Sequence, residues 1–517
     1  VSQLKRALAI FVLADTRAHQ SRSWGESAAG AAVIVLTVLL LARGEVLGPP
    51  PSVVNNRHAV LSLEMAINHR ACGKYGYRDS REVLFQRLLR DLSDVDTPLL
   101  GLPAELAGSR EAYCATVTKP SAMNEISLMF TMDGILRVWP RATWSDVGLG
   151  LRALRLGALA LLVLALVRSG VSGVFAGFLF YVCVIVVRGV EREQFYAVYP
   201  FMPVLVVGFP AILSLALHAG CDRKPIVRAL TAVGVGLAAG FVYNMRTSYL
   251  PLVAVAISLF VWLSQRSTTP WRAVLTSLAT LGMVVLGFLG FQRTVVHPLP
   301  VAGSDTPYTY HVVAHPLVLG LAVPENDFAK RHGIEWNDTV GLKLAQTVDP
   351  NVQYLAGTYE RALFAFYARL WIMQTDEMKQ LYLAKWRLVG REIGRYQVPP
   401  LDAKVFGLVR WPLRQIESGI TLAVLAAALI LAGVVLGRHW SIGGRLLWIS
   451  LASSTLLLIM ESAVILSLFH ITHQSALMIL LFMWSVTIYQ AAVVLGDRLA
   501  RGLIRRSAAP APDVTPA

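Results

Sequence analysis

The feature that most constrains this chain is a series of apolar blocks, each about 18 to 25 residues long. A helix rises about 1.5 Å per residue, so such blocks match a hydrocarbon core of about 30 Å. Ten are read, at 27–44, 151–168, 170–188, 195–218, 226–243, 248–265, 271–291, 418–437, 444–468 and 474–496. Only 15% of the 517 residues are charged and 55% are hydrophobic. A soluble globular domain has about a quarter of its residues charged. The alternation with period two that a membrane barrel needs is absent. The expected fold is therefore an all-α polytopic membrane protein of ten transmembrane helices.

Two long segments, 45–150 and 292–417, interrupt the blocks. Lys and Arg in short loops fix orientation. The segment 1–26 carries Lys5, Arg6, Arg17 and Arg22, and the span that follows reads as an uncleaved signal anchor. With the N-terminus in the cytoplasm, the cytoplasmic loops hold Arg168, then Arg223, Lys224 and Arg228, then Arg266 and Arg272, then Arg438 and Arg445. The tail adds Arg498, Arg501, Arg505 and Arg506 before an Ala/Pro-rich end expected to be disordered. Both long segments then fall outside the cytoplasm. Between them, 151–291 is a core of six spans, and 418–496 supplies the last three. The expected location is a bacterial inner membrane with both termini cytoplasmic. The net charge of +15 belongs mostly to this orientation signal. No basic stripe with interleaved aromatics marks a nucleic-acid partner.

The long segments carry helical patterns of their own. Pro49-Pro50-Pro51 stops the first span. Residues 56–71 place Val60, Leu63, Ala66 and Ile67 on one side, with Glu64 and Asn68 elsewhere; 81–92 and 122–137 follow as further amphipathic helices. Such helices commonly lie flat on a membrane. One long helix is expected from Tyr359 to Tyr396, closed by Pro399-Pro400. Of the four cysteines, Cys72 and Cys114 share the first extracytoplasmic segment, where disulfides are permitted. A bridge between them would stabilise the fold by about 3–4 kcal/mol on the chain-entropy model; the alternative is two small buried residues. No CxxC or HExxH spacing occurs, and no metal or cofactor is expected.

Candidate functional residues gather at the extracytoplasmic ends of the spans. Glu461 stands inside an apolar block, where a charge needs a wet cavity or a cation. A pair with an arginine of a neighbouring span would explain it equally well. Arg188, Glu191 and Tyr196 lie in a cluster of alternating charge at the end of the third span. Interfacial anchoring accounts for much of that cluster. Arg246 and Tyr249 stand between the fifth and sixth spans, and a guanidinium there suits a lipid-linked phosphate. A headgroup contact without catalysis is the plainer explanation. His297, His311, His315 and His332 in the second segment read as loop packing before ligands.

The layout of a first span, a long extracytoplasmic loop with flat helices, further spans and a second such domain resembles the GT-C superfamily of integral-membrane glycosyltransferases. Ala66-Ile67-Asn68 and Gly76-Tyr77 are similar to a phrase that members carry after the first span. The resemblance implies transfer of a sugar from a polyprenyl-phosphate donor to an acceptor, with a carboxylate as general base. Where members place that acid this chain has Arg57-His58, and the nearest carboxylate of the helix is Glu64. Glu64 is then the expected base, Arg246 the contact to donor phosphate, and Tyr249, Arg188, Glu191, Tyr196, Glu461 and Asn68 the substrate-binding set. The implied partners are a lipid-linked sugar phosphate and membrane lipid. The competing expectation is a non-catalytic membrane subunit of the same layout, binding other membrane proteins or lipid.

Overall fold

The computed structural model describes residues 57–78, 98–119, 126–171, 175–176, 208–220, 224–245, 250–264, 269–296, 298, 313–354, 357–395, 419–436, 440–465, 480 and 483–491. These residues are mostly helical. The first polar segment holds α1 (Arg57–Cys72), β1 (Tyr77–Arg78), α2 (Leu102–Ala107), α3 (Arg110–Ala115), β2 (Val117–Lys119) and α4 (Ile126–Val138). A membrane-type core follows: α5 (Trp144–Arg168), α6 (Phe209–Gly220), α7 (Pro225–Met245), α8 (Leu250–Leu263) and α9 (Pro270–Phe291). The second polar segment holds α10 (Ala314–Leu319), a 3-10 turn (Gly320–Ala322), α11 (Asp327–Arg331), α12 (Asp338–Gln346), α13 (Gly357–Met373) and α14 (Thr375–Arg395). Two further apolar helices are α15 (Gly419–Leu436) and α16 (Ile442–Ile465).

Three helices among the described residues are long and apolar enough to cross a membrane: Asp146–Arg168, Pro225–Met245 and Pro270–Val296. Two shorter apolar helices, Phe209–His218 and Leu252–Leu263, lie beside them. The protein is a membrane protein by this criterion. The antiparallel pairing of β1 with β2, Tyr77 opposite Lys119 and Arg78 opposite Val117, departs from an all-helical chain.

Local chemistry places the helix ends. The second block was expected at 151–168, but α5 begins at Trp144. A capping box explains the difference: the Thr143 N–H donates to Asp146 Oδ2 at 2.8 Å and the Asp146 N–H to Thr143 Oγ1 at 3.3 Å. A reading based on apolar windows misses a helix whose first turns are polar. At its other end, Gly170 adopts φ +104°. The Val171 N–H then reaches the Leu166 carbonyl and the Gly170 N–H the Val167 carbonyl, which is a Schellman turn. The chain thus stops this helix at Ser169-Gly170. The single helix expected from Tyr359 to Tyr396 is two helices, α13 and α14, interrupted at Gln374. Thr375-Asp376-Glu377 supplies two carboxylates to a first turn, where the helix dipole favours them.

α16 lies at the centre of the packing, against α5, α6, α8 and α15. α7 and α9 run together along a glycine seam. A Cβ built at Gly236 would overlap the Val284 carbonyl oxygen, and one at Gly287 the Val233 carbonyl oxygen. Small residues permit such backbone approach between apolar helices. The first polar segment attaches to this core through α4, which packs on α7; the Ser127 hydroxyl donates to the Phe241 carbonyl at 2.7 Å. The second polar segment has its own core of Val318, Leu321, Phe328, Leu344, Ala345, Tyr359, Leu363 and Met378. α14 belongs to both bodies, since Met378 sits in this core and Val389 in the main one.

Candidate functional site

A part-buried cluster of ionisable side chains lies where α1 packs on α4. α1 ends with care. Gly73, at φ +72°, turns the chain, and its N–H reaches the His69 carbonyl at 2.8 Å. Arg110 of α3 then donates to the carbonyls of Arg70, at 3.1 Å, and Ala71. A cation there offsets the negative end of the helix. Cys72 and Cys114 are bonded, with Cα atoms 5.2 Å apart, across 42 residues of sequence. The expected bridge is therefore present, and it ties the end of α1 to α3.

The middle of α1 is enclosed on all sides. From Ser62 to Asn68 every side chain is buried, so the polar side expected at Glu64 and Asn68 does not face solvent. The reason is tertiary: α3 and α4 pack on different faces of α1. Glu64 and Asn68 are each 0% exposed. The Asn68 amide donates to the Gly76 carbonyl at 2.7 Å, and its oxygen accepts from the Tyr113 hydroxyl at 2.8 Å. Asn68 therefore folds the Gly73–Gly76 loop back and anchors α3.

The exposed edge of this region is built on Asp133 of α4. Its side chain is 5% exposed. Arg70 grips it as a fork, Nε donating to Oδ1 at 2.5 Å and Nη2 to Oδ2. His69 Nδ1 lies 2.8 Å from the same Oδ1. Burial alone would raise the Asp133 carboxyl, but the hydrogen bonds from His69 and Arg70 hold it below the usual carboxylate range. An ionised carboxylate only accepts hydrogen bonds, so Nδ1 of His69 carries the proton. Nε2 is then the acceptor nitrogen, and it has no protein partner among the described residues. One face of the His69 ring stacks on Tyr75, with centroids 4.0 Å apart and planes 10° from parallel. Tyr75 is 1% exposed, and burial pushes its phenol well above the usual range. The His69 side chain is 22% exposed. An imidazole fixed by a carboxylate at one nitrogen and a ring at one face, its other nitrogen without a partner among the described residues, is arranged to accept a proton.

The sequence analysis gave no role to His69 or to Asp133. The signal was there, because Asp133 is the single acidic residue of the apolar run Ile126–Val138. Arg188, Glu191, Tyr196, Arg246 and Tyr249 lie outside the described residues. Glu461 is in helix α16, and its side chain lies outside the described ones. Comparison with known proteins found no matching family model, no matching curated sequence and no matching solved structure.

Proposed function

We propose that this chain is a membrane glycosyltransferase, moving a sugar from a polyprenyl-phosphate donor to an acceptor hydroxyl on the extracytoplasmic side. The layout is the ten-span, GT-C-like one argued from the sequence. A Cys72–Cys114 bridge supports an oxidising compartment for the first polar segment. The observation that carries the reading is the His69–Asp133 pair, a fixed proton acceptor on that segment. Glu64, the base expected from the sequence, is wholly enclosed. His69 takes that role here. Its Nε2 removes the acceptor hydroxyl proton as the oxygen bonds to the anomeric carbon. The bond from that carbon to the phosphate oxygen breaks, and polyprenyl phosphate leaves. Asp133 stabilises the imidazolium that forms, and Arg70 keeps Asp133 ionised throughout. Arg246 keeps its role at the donor phosphate on the sequence argument.

The test is sugar transfer by the full chain in lipid nanodiscs, with a panel of labelled polyprenyl-phosphate sugars and a membrane extract as acceptor. His69→Gln should lower turnover by about 10²–10⁴-fold with folding unchanged. Asp133→Asn should lower kcat while leaving the donor KM near its starting value. Wild-type transfer undiminished in His69→Gln would remove His69 from the mechanism. The second reading is a non-catalytic subunit, favoured by the closed position of Glu64 and by the neutralisation of Asp133 by Arg70. No transfer across the panel, with a protein partner co-purifying, would support it.

A further inference from the structure

Met378, Leu381, Lys385 and Val389 follow one another on α14 at helical spacing, and all four are buried. A lysine thus stands where the stripe calls for an apolar residue. Lys385 is 0% exposed. Its Nζ donates to the Gly320 carbonyl at 2.8 Å and to the Val464 carbonyl at 2.7 Å. Gly320 closes α10, and Val464 is in the last turn of α16. One amine therefore joins the core of the second polar segment to the central helix α16. Among the described residues, the Tyr382 ring lies 5.3 Å from Nζ as well. That phenol is bonded to Tyr367 of α13 at 2.6 Å. The other packed elements add few charges. α15 contains no titratable residue. α16 carries Arg445 near its start and Glu461 one turn before Val464. α10 carries His315, bonded through Nδ1 to the Tyr359 hydroxyl at 2.6 Å.

A neutral amine has two N–H groups, and two carbonyls receive them. An ammonium has a third, for which the ring face is a weak partner. We propose that Lys385 is a proton-operated latch: the neutral amine holds the turn after α10 against the end of α16, and protonation loosens that junction. Burial pushes Lys385 down to about 7. Helix-end carbonyls favour a cation, and burial acts against them. When the junction opens, the lysine returns to its ordinary value of about 10.4. Closure therefore releases a proton between those two values. The closed state is weakest below about pH 7 and strengthens up to about tenfold per pH unit above it, levelling near 10.

Hydrogen exchange of the full chain in nanodiscs, corrected for intrinsic rates, tests this at pH 6, 7.5 and 9. The probes are peptides covering 314–323 and 457–465. Wild-type protection should rise across the series by about tenfold or more. In Lys385→Met the rise should disappear, because no proton is exchanged. Lys385→Arg, charged throughout, should show low protection at every pH, and Glu461→Gln should keep the wild-type rise. Wild-type protection that is flat with pH overturns the latch. So does an equal rise in Lys385→Met, or a rise abolished by Glu461→Gln alone.

Discussion

Asp133 decides the chemistry of its neighbours, because one buried carboxylate accepts from both His69 and Arg70. Removing one partner of a buried ion pair leaves a charge without compensation, which costs about 3–5 kcal/mol for full burial. Arg70 is 24% exposed, so water offsets part of that loss. Arg70→Met should therefore destabilise the first polar segment by about 2–3 kcal/mol, read by denaturant or thermal unfolding in detergent. A loss below about 0.5 kcal/mol would show the pair to be no stronger than a surface bridge. The pH dependence has a definite sign. Asp133 is held below its ordinary range when folded, so its contribution is full above that range and is lost as acid protonates it. At this scale the sequence was partly legible. Cys72 and Cys114 were paired from their shared segment alone. Asp133 was not found, because its partners are more than 60 residues away and only the packing of α4 on α1 brings them together.

Among the helices, the α7–α9 seam makes the sharpest demand on residue type. Gly236 and Gly287 let the two backbones meet, and a side chain at either would overlap a carbonyl of the other helix. Gly236→Leu should separate the pair and cost at least about 1–3 kcal/mol. Gly234→Ala, where a Cβ meets nothing within 4 Å, is the control and should be tolerated. Equal stability of the two variants would show that the seam does not hold α9 in place. The apolar lengths of α7 and α9 were legible from composition, but their contact was not. Helix ends were not legible from apolar spacing where capping residues set them. Thr143 with Asp146 starts α5 earlier than its apolar block, and Thr375-Asp376-Glu377 splits a run that its apolar spacing joins.

Among the described residues, the two larger apolar cores are that of the main helices with the first polar segment and that of the second polar segment. Reduction of Cys72–Cys114 releases a constraint worth about 4 kcal/mol on the chain-entropy model, and only one body contains it. Reducing agent should therefore speed hydrogen exchange in 57–78 and 98–119 while 313–354 stays protected. Loss of protection in both would mean that they unfold as a single unit. Lys385 sits where the two meet, on a helix with residues in each core.

The sequence by itself determined that the chain is helical and membrane-embedded, and that Cys72 and Cys114 could be linked. Those properties follow from apolar run length and from a compartment shared by two thiols, which are local or compositional quantities. Only the tertiary structure decided that Glu64 is enclosed, that Asn68 is spent on folding a loop, that His69 is held by Asp133, and that Lys385 joins two helix ends. Each of these depends on which distant carbonyl or carboxylate a side chain meets. Helical spacing says which residues share a face, but not what is packed against it.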